Sequence, residues 1–127
     1  MKQGKIDISQ LNALPEKHEF ETAKYFSALG KDVKFIRPSS MPGVRRPDIL
    51  MDGIEWEIKC PQGKSDRTIE NNFRKAVQQS KYLIFDLRWI NIPEKQALSQ
   101  IKRLYEGRKY LKKMLIIKKN KELITLD

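Results

Sequence analysis

A two-residue turn, Asp52-Gly53, separates two apolar runs of the chain. This dipeptide is the strongest short signal for a β-hairpin, because a type I′ turn needs positive φ at both central residues. The turn also fixes the register of the two strands, so that Asp48 is expected directly opposite Glu57. Side chains alternate along a strand, and Lys59 therefore shares a face with Glu57. The sequence predicts two carboxylates and one lysine at a single sheet edge.

Two carboxylates opposed across a hairpin need a physical explanation. Opposed Cβ atoms lie about 4.5–5.5 Å apart, and like charges at that distance destabilise the pair. A divalent cation removes the repulsion, and Mg²⁺ is commonly held by one or two carboxylates and several waters. We therefore expect Asp48 and Glu57 to hold Mg²⁺ or Mn²⁺, as one or two ions, while Lys59 positions or activates a water molecule. The alternative is the solvated, charged outer face of an ordinary hairpin.

The length and composition of the chain limit what can surround this hairpin. With 127 residues, we expect one domain over residues 15–127, after an N-terminal arm or linker over residues 1–14. No apolar run reaches the roughly 18–20 residues that span a bilayer, and the first residues lack the apolar core of a signal peptide. Cys60 is the only cysteine, which excludes an internal disulfide. These features favour a reducing, cytoplasmic site of action and no membrane partner.

The formal net charge of +10 predicts a polyanionic partner, with nucleic acid as the first choice. An anionic membrane surface fits less well, because the basic residues near the C-terminus are spaced too irregularly for an amphipathic helix. A basic protein without such a partner is the alternative that charge alone leaves open.

Hydrophobic periodicity and turn residues predict an α/β (α+β) fold, in which a mixed central β-sheet is flanked by helices. The predicted order of elements is α-β-β-β-α-β-α-β-β. Helices are expected at 15–29, from a cap at Ser65 or Asp66 to residue 80, and at 93–107. Strands are expected at 32–37, 47–51, 54–60, 82–87, 113–118 and 122–126.

The first predicted helix adds a third carboxylate to the candidate site. At about 100° per residue, Ala23 and Phe26 lie within about 40° of Glu19 on the face expected to meet the core, whereas Glu21 points away. An acid within a core-facing stripe needs a cation, a metal or a hydrogen-bond donor. Glu19 is therefore a candidate for the same polar site, and a plain salt bridge is the alternative.

The second predicted helix follows Lys59 after a short turn, so its N-terminus is expected near the metal and suited to phosphate. Four basic residues are expected to attract substrate phosphates: Arg45, Arg46, Lys64 and Arg67. A polar line on the same helix is expected to face a substrate backbone, formed by Thr68, Asn72 and Gln79. An ordinary capped amphipathic helix with a polar flank is the alternative.

The combination of a helical glutamate, Pro47-Asp48 and Glu57-Ile58-Lys59 resembles the PD-(D/E)XK nuclease superfamily. The span from Glu19 to Gly30 is similar to the helix–glycine–strand opening of archaeal Holliday-junction resolvases in that superfamily. A wider set of segments is similar to the C-terminal tRNA nuclease domains of CdiA-type contact-dependent growth inhibition toxins. These segments are ETAKYFSALG at 21–30, PSSMPGVRRPD at 38–48, WEIK at 56–59, RTIEN at 67–71 and QSKYLIFDLR at 79–88.

The resemblance implies a PD-(D/E)XK restriction-endonuclease-like core and a divalent-metal-dependent endonuclease. It makes Asp48 and Glu57 metal ligands, Lys59 the catalytic lysine and Glu19 a supporting acid. It also places three further residues near the site: Thr68, Gln79 and Asp86. The substrate that it implies is tRNA, cut by a toxin domain with an immunity protein as a partner.

Two other functions remain open at this stage. One is a DNA endonuclease of the resolvase or mobile-element type, because metal-dependent catalysis does not require the 2′-hydroxyl of RNA. The other is a non-catalytic, basic RNA-binding module, which would have no use for a close carboxylate pair. Toxin domains of this type usually end a much longer secreted protein, whereas this chain starts at Met1. An excised domain, a free-standing relative and a domesticated nuclease are therefore all open.

Overall fold

A seven-stranded mixed β-sheet and three helices make up the protein in a computed structural model that describes residues 2–127. The strands are β1 (Ile6–Asp7), β2 (Val33–Phe35), β3 (Ile49–Met51), β4 (Ile54–Lys59), β5 (Tyr82–Asp86), β6 (Lys113–Ile117) and β7 (Leu123–Leu126). The helices are α1 (Lys17–Ala28), α2 (Thr68–Ala76) and α3 (Glu94–Glu106). The predicted mixed sheet flanked by helices is confirmed. Within the described residues, no helix combines the length and apolar character needed to cross a membrane.

The strands lie side by side in the order of the chain, from β1 to β7. The pairs β1–β2, β4–β5 and β5–β6 are parallel, and the pairs β2–β3, β3–β4 and β6–β7 are antiparallel. Each parallel pair from β4 onward is connected by a helix, as a parallel crossover requires. The hairpin strands β3 and β4 therefore occupy the middle of the sheet.

The two faces of the sheet are buried against different helices. Leu83 and Phe85 of β5 belong to an apolar cluster with residues of α2 and α3, whereas Ile84 between them belongs to a cluster with residues of α1. In register, Glu57 pairs with Leu83 and Lys59 pairs with Phe85. Because paired residues of parallel strands point to the same side, Glu57 and Lys59 lie on the face that carries α2 and α3.

Part of the segment 1–14, expected to be a loosely held arm or linker, belongs to the sheet. Strand β1 pairs with β2, the Gly4 N–H donates to the Ser27 carbonyl at 2.8 Å, and Ser27 Oγ donates to the Gly4 carbonyl at 2.6 Å. A side chain at Gly4 would collide with the carbonyl of Lys31. The observed order is β-α-β-β-β-α-β-α-β-β, and the extra strand was missed because two residues are too short to show periodicity.

Helix α2 is shorter than predicted, which changes the position of Gln79. The helix ends at Ala76 instead of near residue 80, because the chain must reverse before β5 pairs with β4. Ser80 holds this reversal, since its Oγ donates to the Glu55 carbonyl at 2.8 Å and accepts from the Tyr82 N–H at 3.0 Å. The predicted cap at Ser65 or Asp66 is also wrong, because Arg67 occupies the N-cap position without a side-chain cap.

Candidate active site

The hairpin forms with the turn and the register that the sequence predicts. Asp52 and Gly53 have φ values of 56° and 74°, as a type I′ turn requires. Ile49 pairs with Trp56, and the pairing continues to the turn. Trp56 belongs to the apolar cluster on the α1 side, so the alternate residues Glu57 and Lys59 are presented on the opposite face.

Asp48 does not continue this ladder, contrary to the prediction that it lies directly opposite Glu57. The strand pairing stops at Ile49, and the Asp48 N–H donates to the Trp56 carbonyl at 2.9 Å. The Asp48 carbonyl accepts from the Ile36 N–H at 2.9 Å, which ties this residue to the segment after β2. Its side chain reaches across the hairpin, where Oδ2 accepts from the Ile58 N–H at 2.8 Å.

The carboxyl groups of Asp48 and Glu57 are nevertheless neighbours, and each affects the pKa of the other. The Glu57 side chain is only 3 % exposed. Burial, together with the charge of Asp48, raises the pKa of Glu57 from 4.5 to about 8. Burial also raises the pKa of Asp48, although the hydrogen bond from Ile58 opposes that shift. Lys59 Nζ lies 3.3 Å from Glu57 Oε2 and offsets part of the repulsion.

Helix α1 brings Glu19 to the same place, as its helical phase predicts. Burial is the main cause that raises the pKa of Glu19 to about 7, and the charges of Asp48 and Glu16 raise it further. The charge of Lys59 acts in the opposite direction. The helix N-terminus is fixed by Glu16, whose carboxylate accepts from the backbone N–H groups of His18 and Glu19. Three carboxyl groups and one ammonium group therefore lie close enough for their charges to shift the pKa values of the carboxyl groups.

An open cavity of about 370 Å³ gives access to these groups. The Gln79 side chain lines this cavity, against Glu57 and Arg45. With its nitrogen toward the carboxylate, the Gln79 amide donates to Glu57 Oε1 at 2.6 Å, and its oxygen accepts from Arg45 Nη1 at 3.3 Å. The lining includes seven of the residues predicted from sequence: Glu19, Arg45, Arg46, Asp48, Glu57, Lys59 and Gln79.

Four other predicted substrate-binding residues do not line this cavity: Lys64, Arg67, Thr68 and Asn72. They belong to the N-terminal half of α2 and the turn before it, whereas the cavity meets the segment after the C-terminal end of α2. Arg67 forms an exposed ion pair with Glu70, and Asn72 Nδ2 donates to the Thr68 carbonyl at 2.8 Å. The predicted polar line therefore does not exist as a unit, because Gln79 lies beyond the helix.

Asp86 lies in a separate buried network on the α1 side of the sheet. It is completely buried and receives hydrogen bonds from Arg88 Nη2 and from Thr22 Oγ1, both at 2.7 Å. Arg88 Nη2 also donates to the Glu21 carbonyl at 3.2 Å. This network ties β5 to α1, the helix that carries Glu19. The sequence analysis did not predict the role of Thr22 and Arg88. Arg88 follows Asp86 by two positions, and this spacing could have indicated the ion pair between them.

The donor set at the cavity is suited to a hard divalent cation. Within residues 2–127, no group of three or more histidine, cysteine, aspartate or glutamate side chains is arranged as a metal-binding cluster. Asp48 and Glu57 supply two carboxylates, which matches the one or two protein carboxylates, completed by waters, that Mg²⁺ commonly uses. Two adjacent buried carboxylates are also stabilised when a cation balances their charge. The residues present therefore fit Mg²⁺ or Mn²⁺.

The region of the chain that contains the hairpin and Gln79 matches a known protein family. Residues 45–123 match the family described as the contact-dependent growth inhibition CdiA C-terminal domain. The chain belongs to this family. The match begins in the loop before Asp48 and includes the hairpin, α2 and the segment of Gln79. A comparison of the chain with curated proteins found no match.

The fold of this CdiA C-terminal domain is also found in a solved structure. That structure is described as a CdiA-CT/CdiI toxin and immunity complex from Burkholderia pseudomallei. The two chains are 16% identical, the TM-score is 0.68, and the similarity covers 97% of this chain and 98% of the other. At this level of identity the comparison shows a shared fold, which extends over both halves of the sheet.

The raised pKa of Glu57 predicts that the metal-free protein loses stability as pH rises. Its pKa is 4.5 in the unfolded chain and about 8 in the folded protein, so the folded state holds more protons between these values. The free energy of unfolding should therefore fall as pH rises through this window, and Asp48 contributes in the same direction. Urea unfolding in EDTA across this range measures the slope. Glu57→Gln is the control, and an unchanged slope in that variant would contradict the assignment.

Proposed function

We propose that this chain is a divalent-metal-dependent endonuclease that hydrolyses phosphodiester bonds of nucleic acid. The observation that carries the proposal is the convergence of Asp48, Glu57 and Lys59 with Glu19 in one open cavity. Buried, adjacent carboxylates are costly to a fold, and strongly raised carboxylate pKa values are typical of functional sites. A basic protein with such a site is suited to an anionic substrate.

Each residue of the cavity has a role that follows from its position. Asp48 and Glu57 would hold Mg²⁺ or Mn²⁺, which when bound supplies Lewis-acid stabilisation of charge on the phosphoryl oxygens. The Lys59 ammonium, on the same strand as Glu57, would orient the attacking water and stabilise negative charge that develops on the phosphate. Glu19 would accept hydrogen bonds from the water molecules around the metal. Gln79 holds the Glu57 carboxylate in place through its amide.

The arginines of the loop before Asp48 would bind the substrate backbone. Arg45 and Arg46 both line the cavity, and guanidinium groups bind phosphate with two parallel hydrogen bonds. Arg45 also contacts Gln79, which in turn contacts Glu57. A phosphate bound by Arg45 would therefore lie close to the metal-binding carboxylates. Lys64 and Arg67 would contribute only to the general attraction of the basic surface.

Family membership supports a toxin role in contact-dependent growth inhibition, with tRNA as the favoured substrate. The structure with the same fold is described as a toxin and immunity complex, which supports an immunity protein as the partner of this chain. The target of such a toxin would lie in the cytoplasm. The PD-(D/E)XK core that the sequence resembles is part of the proposal. Asp48 directly before β3, with Glu57 and Lys59 on β4, supports it.

Cleavage assays with purified protein test the proposed function directly. Total tRNA, plasmid DNA and branched DNA are each incubated with the protein in Mg²⁺ and in EDTA. We expect tRNA fragments that appear only with the metal, and Glu57→Gln should produce none. Glu70→Gln is the matched control, because Glu70 lies exposed on α2, and it should cleave normally. Metal-dependent cleavage of DNA alone would establish the endonuclease and reject tRNA, whereas tight RNA binding without cleavage would favour a binding module.

A further inference from the structure

A second cavity, of about 680 Å³, opens directly beside the candidate active site. Six residues line both cavities, so the two are continuous: Glu19, Ile36, Pro38, Ser39, Arg46 and Asp48. Its outer wall is the segment 11–15, and its floor includes Phe35 of β2. Ligand pockets in proteins commonly measure about 300–1,000 Å³. The second cavity is therefore large enough for a substrate group that extends beyond the cleaved phosphate.

The wall of this cavity is held by specific contacts. The Leu11 side chain packs against the apolar cluster on the α1 side, and its N–H donates to the Ile8 carbonyl at 3.0 Å. Arg37 Nε donates to the Gln10 carbonyl at 3.2 Å. The segment that precedes α1 is thus tied both to the core and to the loop after β2, and the cavity between them is preformed.

The lining combines the chemical groups that bind a nucleotide. Leu11 and Pro15 supply apolar surface for the face of a base, while Asn12 and Ser39 supply polar groups for its edge. Three exposed apolar side chains lie in the two segments that border the cavities: Leu14 (83 % exposed), Met41 (66 %) and Val44 (46 %). These side chains add apolar surface around the cavities, and bases are the apolar part of a nucleic acid.

We propose that this cavity binds an unpaired nucleotide adjacent to the phosphate that is cleaved. This proposal rests on the proposed nuclease function. The shared residues place the base on one side of Asp48 and the reacting phosphate on the other, with Arg46 available to the phosphate between them. A base within a duplex is stacked and cannot enter a side cavity, so it must be unpaired or extruded. The substrate is therefore a strand with an unpaired nucleotide at the cut, in a loop or at an end, rather than a regular duplex.

Binding measurements test this inference without requiring catalysis. Fluorescence anisotropy is measured in a Lys59→Met background, so that substrate is not consumed, with a hairpin and a blunt duplex of the same stem sequence, each as RNA and as DNA. We expect the hairpin to bind at least about tenfold tighter than the duplex, since contacts to one unpaired base change affinity by about that factor. The RNA and DNA versions show which backbone the site accepts.

Filling the cavity should remove this preference. Ala13 lines the cavity and is exposed, so Ala13→Trp should weaken hairpin binding about tenfold, to the level of the duplex. Ala28→Trp, an exposed substitution at the end of α1, is the matched control and should keep the preference. Ser40→Trp fills the cavity from the opposite wall and repeats the test if the first variant does not fold.

The outcomes separate this inference from the proposed function. Equal binding of hairpin and duplex, no binding of either, or a preference that survives both cavity-filling variants would overturn the inference. A preference that Ala13→Trp removes would support it, even if the wild-type protein shows no metal-dependent cleavage. Absence of metal-dependent cleavage would reject the nuclease function, while the lost preference would still support the nucleotide-binding cavity.

Discussion

Lys59→Met is expected to slow metal-dependent cleavage of nucleic acid by about 10²–10³-fold, the loss typical when one group that stabilises transition-state charge is removed. Methionine keeps the apolar stem of the side chain and removes the ammonium group that lies 3.3 Å from Glu57 Oε2. Single-turnover rates with saturating protein measure the chemical step separately from binding. Because general attraction depends on the net charge of the whole protein, the affinity for substrate should change much less than the rate.

The matched control for this variant is Lys95→Met, which removes one positive charge from an exposed position on α3. It should cleave at the wild-type rate, apart from a small effect of the lower net charge. Equal losses in both variants would show that Lys59 acts only through long-range attraction. Urea unfolding of Lys59→Met shows whether this variant is folded under the conditions in which its cleavage rate is measured.

Arg88→Met is expected to lower the free energy of unfolding by about 3–5 kcal/mol, because it leaves the carboxylate of Asp86 buried and without its counter-charge. Asp86 is completely buried, and three hydrogen bonds from the guanidinium of Arg88 reach it at 2.7–3.2 Å. A domain typically has about 5–15 kcal/mol of stability in total, so this variant should be close to unfolding. The midpoint and slope of urea unfolding give the value.

Two further variants show whether this loss comes from the unpaired charge. Arg74→Met breaks an ion pair with Glu70 in which both side chains are exposed, and it should cost less than about 1 kcal/mol. The double variant Asp86→Leu/Arg88→Met removes both charges and should recover much of the stability. A double variant no more stable than Arg88→Met would instead point to lost packing between α1 and β5.

The parts of the site that could be predicted from sequence are those set by local geometry. The Asp52-Gly53 turn determines its own strand register, and helical phase places Glu19 toward the core. Both features depend on residues a few positions apart, where backbone periodicity is sufficient. The position of Asp48 departs from the prediction: the ladder ends at Ile49, and the Asp48 carbonyl accepts from Ile36, which lies outside the hairpin.

The parts that could not be predicted depend on residues distant in the chain. The contact of Thr22 with Asp86 joins residues 64 positions apart, and the periodicity of the sequence cannot predict such a contact. Gln79 was selected for a position on α2, whereas it contacts Glu57 because the helix ends early and the chain turns back. Strand β1 is too short for any pattern, although it closes one edge of the sheet.

The order of the strands also governs how the chain can fold. Because every strand pairs with its neighbour in sequence, no pairing has to span more than one helix of intervening chain. Glu19, Asp48, Glu57 and Lys59 all belong to the part of the chain that ends with β4. We expect the parallel pairing of β4 with β5, which must close a loop through α2, to be a slow step. Strands β3 and β4 would then already be paired when Gln79 reaches Glu57.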